Sequence, residues 1–330
     1  MIKKILLSLA LSFILIALII TSIFLYYDNY LNKNIEILEV DIEKGEKFEV
    51  TYNKIFKDLN PPPYFDTYLI KVMNFHNKRK YGYYYATNIK IKQFLFDIMN
   101  GKEYLIKVFV VEGSNIFDIA KSLQNKEILK EEEFLNTAKD RQFIKELTGL
   151  DVESMEGMLY PDTYFFSKKV LAQNVIKKMY SNFKKKIPEN FSERIKKHNL
   201  SFYEGIIMAS IIQKESYYVD EYPLIASVFY NRLKRNMKLQ ADPTVIYGIY
   251  KTFDGNLKKM DLIDHNNRYN TYAYYGLPPT PICNPTREAM EAVLSPAETN
   301  YLYFVSDGKG KHNFAITYRE HIRNIKNILQ

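Results

Sequence analysis

Cysteine is nearly absent: Cys283 is the only one in 330 residues. A single thiol excludes an internal disulfide and any metal site built from several thiolates, so stability has to come from packing. Histidine is scarce as well. His76, His198, His265, His312 and His321 show none of the paired spacings, such as H-E-x-x-H, that put two imidazoles on one ion. No structural or catalytic metal and no cofactor are expected. Charge is missing from one long stretch, Ile5 to Leu25, which follows Lys3 and Lys4. As a helix it is long enough to cross the roughly 30 Å apolar core of a bilayer. A cleaved signal peptide is the competing reading, but Tyr26, Tyr27, Asp28 and Asn29 offer no small-residue cleavage site. The two tyrosines suit an interfacial belt, and the flanking lysines place the N-terminus in the cytoplasm and the C-terminal part outside it.

What is present reads as a folded chain with an apolar appendage. Hydrophobic residues make up 47% and charged residues 25%, values of a globular protein with room for two or three cores. The formal net charge is +8, with lysines concentrated at Lys177, Lys184, Lys185, Lys186, Lys196 and Lys197. A lysine run is usually a solvated helix face. For a protein facing out of a membrane, anionic headgroups or wall carboxylates fit that charge better than nucleic acid. The expected class is α+β. Residues 1–27 form a membrane anchor, 28–150 a membrane-proximal α+β region, and 151–330 a mixed α/β domain. Within 28–150, KVFVVEGSNIFDIAKSLQNKEIL reads as strand, turn at Gly113 and helix, and VDIEKGEKFEV repeats the pattern around Gly45. That arrangement resembles LysM modules, which bind glycans.

The most informative stretch is SFYEGIIMASIIQKES. Ser201 and Glu204 make a capping box ahead of an apolar run, so a helix begins there. Met208, Ile211, Ile212 and Glu215 share one face, an apolar stripe that ends in a carboxyl. Apolar surroundings favour the neutral form of a carboxyl, as a general acid requires. The alternative is a solvated last-turn glutamate. A second helix opens at Pro223, Asp242 and Pro243 cap a short third, and Asn284 and Pro285 start another. YNTYAYYGLPPTPICNP is expected to be an ordered loop, and YLYFVSDGKGKHNFAIT a hairpin turning near Asp307 to Gly310.

MASIIQKES, ASVFYNRL, LQADPTVIYG, YNTY, GLPP and YLYFVSDGKGKHNF follow one another over about 115 residues, with EGMLYPDTYFF upstream. In this order they resemble the endolytic murein transglycosylase (MltG, YceG-like) family. The resemblance implies a membrane-anchored enzyme that cuts peptidoglycan glycan strands between N-acetylmuramic acid and N-acetylglucosamine without water, leaving 1,6-anhydro ends. It implies wall-synthesis proteins as partners. The family's catalytic glutamate, the second in a motif like E-K-E-[TS], falls on Glu215, while Gln213 replaces the first. One glutamate suffices because the sugar's own C6 hydroxyl attacks C1, so Glu215 acts first as acid and then as base. By the same resemblance Gln240, Asp242, Asn270 and Tyr272 are glycan-binding candidates, each with a capping or turn role as the alternative. Two other functions stay open: a hydrolase of the same polymer using Asp242 or Asp220 as second carboxylate, and a non-catalytic wall-binding protein.

Overall fold

A computed structural model describes residues 2–168 and 170–328. The outermost residues of the expected segments, Met1 and Gln330, fall outside the described residues. The backbone divides into two compact units, up to Ile106 and from Lys107 on. The fold is mixed α+β, with an apolar helix at its N-terminus.

In the first unit, helix α1 (Ile2–Leu31) is apolar, with mean hydropathy 2.7 over a window that is nowhere buried. It is long and apolar enough to cross a membrane. It then runs without a break into the unit's core, where Tyr30 and Leu31 are buried. Strand β1 (Asn34–Ile42), helices α2 (Phe48–Phe56), α3 (Phe65–Lys71) and α4 (Phe75–Lys78), strand β2 (Gly82–Lys90) and helix α5 (Ile91–Asn100) complete the unit. β1 and β2 pair antiparallel, with Ile35 opposite Ile89 and Val40 opposite Tyr84. Aromatic edges close the core: Phe65 meets Tyr30 at 4.9 Å and Phe56 at 5.2 Å, both T-shaped.

The second unit opens with strand β3 (Ile106–Phe109), followed by helices α6 (Ile116–Asn125), α7 (Glu131–Ala138) and α8 (Arg141–Thr148) and strand β4 (Thr163–Phe166). β3 pairs with β4, so residue 150, the boundary expected from sequence, lies inside this unit. Gly45 and Gly113, the two glycines of the suspected repeat, both have positive φ and sit between a strand and a helix. Helices α9 (Ala172–Lys186), α10 (Phe191–Lys196), α11 (Phe202–Glu215), α12 (Tyr222–Lys234), α13 (Asp242–Gly248), α14 (Lys259–Ile263) and α15 (Arg287–Leu294) lead to hairpin β5 (Tyr303–Ser306) and β6 (His312–Ala315), and α16 (Tyr318–Ile328) ends the described chain.

α11 is the central helix. Every residue from Gly205 to Ile212 is buried, the mark of a helix packed on all sides. It packs against α10, α12, α13 and α15. Its capping box forms as expected, with Glu204 N–H on Ser201 Oγ and Ser201 N–H on Glu204 Oε2. Gly205 admits the neighbouring α10, since a Cβ there would meet Ile195 at 2.8 Å. Two expected caps differ. Asp242 is the first residue of α13 and caps nothing, because its carboxylate faces Tyr272. Thr286 caps α15, because Asn284 is buried inside the unit and engaged there.

Candidate active site

Glu215 is the last residue of α11, where the buried helix emerges. It lines a cavity of about 260 Å³ with Arg232, Leu239, Gln240, Asp242, Tyr272, Phe304, Val305, Ser306 and His312. Among the described residues nothing hydrogen-bonds its carboxyl. Burial, reinforced by the nearby Asp242 carboxylate and opposed by Arg232, pushes its pKa up to about 8. The group is therefore mostly a neutral acid at pH 7.

Four of the five residues singled out from sequence meet here: Glu215, Gln240, Asp242 and Tyr272. Tyr272 donates its phenol hydrogen to Asp242 Oδ1 at 2.5 Å, which fixes the carboxylate and leaves its other oxygen free to accept. Gln240 sits at φ 53°, a left-handed conformation uncommon outside glycine. The backbone there is held by Gln240 N–H on Thr271 O and Ala241 N–H on Thr271 Oγ1. Asn270 is placed elsewhere. It is fully buried and does not line the cavity; its amide donates to the carbonyls of Asp261, Leu262 and Asp264 and accepts from the N–H of Tyr272 and Ala273. It shapes the tyrosine-rich loop and so carries Tyr272 to Asp242.

Two other residues weighed from the sequence, Asp220 and Gln213, have different surroundings. Asp220 is exposed and pairs with Lys311 at 2.6 Å. Gln213 does not line the cavity: its amide donates to Tyr222 Oη and accepts from Thr286 N–H, tying the starts of α12 and α15 to α11. A carboxylate could not donate that first bond.

Three further residues fall inside the motifs quoted above, Arg232 in ASVFYNRL, His312 in YLYFVSDGKGKHNF and Glu156 in EGMLYPDTYFF, but nothing in the sequence assigned them a role. Arg232 is buried, donating from Nε to Leu302 O and from Nη1 to Lys238 O, Leu239 O and Gln240 Oε1, and among the described residues it has no ion pair, so its charge is left to face Glu215 across the cavity. His312 comes from the hairpin and is bonded to buried Glu221. Glu156, fully buried, accepts from Ile116 N–H, Tyr247 Oη and Asn284 Nδ2, and its burial pushes the carboxyl up to about 8. It joins the start of α6 to α13 and to the loop before α15. Apart from the contacts of Arg232 with Lys238, Leu239 and Gln240, their partners lie 40 to 128 residues away along the chain, which is why only the fold exposes them.

The chain has relatives among known proteins. A family model described as YceG-like matches residues 40–327. A Bacillus subtilis protein named endolytic murein transglycosylase is 34% identical over 232 residues, 66% of this chain and 64% of its own length. A Streptococcus pneumoniae protein of the same name is 31% identical over 244 residues, 67% of this chain and 44% of its own length. The chain thus spans less than two thirds of the length of the named relatives it matches. The crystal structure of a yceG-like protein from Listeria monocytogenes superposes with a TM-score of 0.60 at 30% identity, covering 87% of this chain and 99% of that one. With most of its length matched to the family model, the chain belongs to the YceG-like family.

Proposed function

We propose that this protein is a membrane-anchored lytic transglycosylase that cleaves peptidoglycan glycan strands between N-acetylmuramic acid and N-acetylglucosamine, leaving 1,6-anhydro ends. The observation that carries this reading is the state of Glu215: a carboxyl at the edge of an apolar core, with no hydrogen-bond partner among the described residues and a pKa raised to about 8. Such a group donates a proton to the glycosidic oxygen at neutral pH and, once ionised, is a strong enough base to take the C6 hydroxyl proton. O6 then bonds to C1 as the glycosidic bond breaks, and no water is consumed. Arg232 opposes excess negative charge when Glu215 ionises. Gln240, Asp242 and Tyr272 bind the sugars, and Asn270 acts through the loop that carries Tyr272.

Residues 151–330 form the catalytic part in this reading. The region 28–150 contributes LysM-like glycan contacts, supported by its strand–glycine–helix segments. α1 is a single-pass anchor with the N-terminus cytoplasmic and the remainder outside, where wall-synthesis proteins are partners. Asp242 gives a second reading substance, because a second carboxylate in the same cavity is what a hydrolase needs. Mass spectrometry of digested peptidoglycan separates the two. Anhydro ends support the transglycosylase, reducing ends the hydrolase, and intact strands a binding protein. A C-terminal reporter active only in the cytoplasm would reject the orientation.

A further inference from the structure

His312 stands opposite Ser306 in the hairpin, with its ring edge-on to Phe304 at 5.3 Å and 87°. Its partner Glu221 is 4% exposed and directly precedes α12. Glu221 Oε1 accepts the backbone N–H of His312 at 2.8 Å, and Oε2 accepts from Ser216 Oγ and meets His312 Nδ1, each at 2.8 Å. Burial pushes the Glu221 carboxyl up, but the bonds from His312 and Ser216 outweigh it and hold the group below the ordinary value. Glu221 is therefore an ionised acceptor, and the hydrogen of that third contact must sit on Nδ1. In a neutral imidazole this leaves the lone pair on Nε2. Among the described residues nothing bonds to Nε2, and His312 lines the cavity that holds Glu215.

We propose that His312 contacts the substrate through Nε2, which accepts a hydrogen bond from a sugar hydroxyl in the Glu215 cavity, with Glu221 the positioning residue that holds the ring hydrogen on Nδ1. The second oxygen of Asp242 is one acceptor in the cavity, and most other polar groups there are donors. Arg232 only donates, Tyr272 already donates to Asp242, and Glu215 in its acid form presents a donor. A hydroxyl-rich ligand needs acceptors to match. Ser216, the residue after Glu215, is bonded to the same Glu221, so the end of α11 and the imidazole share one anchor. Sugar held at His312 is thereby held in register with Glu215. This inference rests on the glycan-cleaving reading for the nature of its ligand.

The test uses the full chain in detergent micelles with ¹⁵N-labelled histidine, the His312 signals being assigned by their loss in His312→Gln. Expected is a hydrogen on Nδ1 and none on Nε2; a wild-type ring carrying a hydrogen on Nε2, alone or together with Nδ1, overturns the proposal. Glu221→Gln, whose amide can donate to Nδ1, should move the hydrogen to Nε2. Kinetics on purified glycan strands supply the second arm. His312→Phe should lower kcat/KM on the order of 10- to 100-fold. His312→Gln, with a carbonyl able to stand in for Nε2, should recover part of that loss, and Glu221→Gln should fall with His312→Phe at unchanged thermal stability. Equal activity of His312→Phe and wild type overturns the proposal, as does a His312→Gln variant no better than a well-folded His312→Phe. Should the wild type release no anhydro ends, the parent reading fails instead, and the tautomer measurement still decides the Glu221–His312 geometry.

Discussion

Replacing Glu215 by glutamine removes one proton and little else, so it isolates what burial does for this carboxyl. With a pKa of about 8, roughly nine-tenths of Glu215 molecules carry the proton at pH 7. At the ordinary carboxyl value of 4.5 the protonated share would be about 0.3%, so the apolar end of α11 enriches the working acid about 300-fold. Wild-type release of anhydro ends should accordingly be flat below pH 7 and fall as the pH rises through about 8. Glu215→Gln should lower the rate by on the order of 10²- to 10⁴-fold, toward the upper figure because one residue serves two proton transfers. Folding should persist, since a neutral amide sits at least as easily in that setting as the carboxyl. The assay is timed digestion of purified glycan strands with mass-spectrometric counting of anhydro ends across pH 5–9. A folded Glu215→Gln protein working at near the wild-type rate would refute the assignment, and the acid would have to be Asp242. A wild-type profile unchanged through pH 8 would refute the burial argument separately.

Asp242→Asn keeps an acceptor for Tyr272 but removes the charge that assists burial in raising Glu215, so the alkaline fall in activity should move to lower pH. Because burial is the larger cause, the limb should stay above the ordinary carboxyl value of 4.5; an unmoved or rising limb would contradict the coupling. Glu156→Ala strands Ile116 N–H, Tyr247 Oη and Asn284 Nδ2 in the interior and should lower unfolding free energy by about 3 kcal/mol or more in urea titrations. A loss under about 1 kcal/mol would show that the network rearranges freely. Global stability should also depend on pH. Glu156 and Glu215 hold protons up to about 8 when folded but only to about 4.5 when unfolded, so the native state binds more protons between those values. Stability from this source is full below pH 4.5 and lost as pH rises through 8, and Glu156→Gln should flatten the slope in melting curves.

Local chemistry made some of this legible. The capping box at Ser201, the apolar run behind it and the carboxyl at its end are all within one helix, so periodicity alone places Glu215 at a boundary. The hairpin turn at Asp307 is equally local, with Asp307 Oδ1 accepting from Lys309 and Lys311 N–H. Asp242 and Tyr272 are 30 residues apart, and only the motif resemblance brought them together in advance. Glu221 and His312 are 91 apart, and no propensity or spacing connects them. The division of the chain failed to show for a similar reason: the pairing of β3 with β4 closes over three intervening helices. Asn270 reads as a polar loop residue whether it meets a ligand or five backbone groups, and only packing distinguishes the two.

The first helix has neither glycine nor proline between Ile2 and Leu31, and its last two residues are set in the core of the first unit. Kinks need such residues or an interruption of the hydrogen-bond ladder, so this is a mast without a joint. Its length and its rotational phase are locked together. Inserting one residue between Leu25 and Tyr30 would raise the first unit by about 1.5 Å and also turn it by about 100° about the helix axis. Inserting seven would lift it by about 10 Å and return it close to its original heading. Spacer length in this protein is thus a periodic variable, and a deletion series through the end of the helix should be read against angle as well as height.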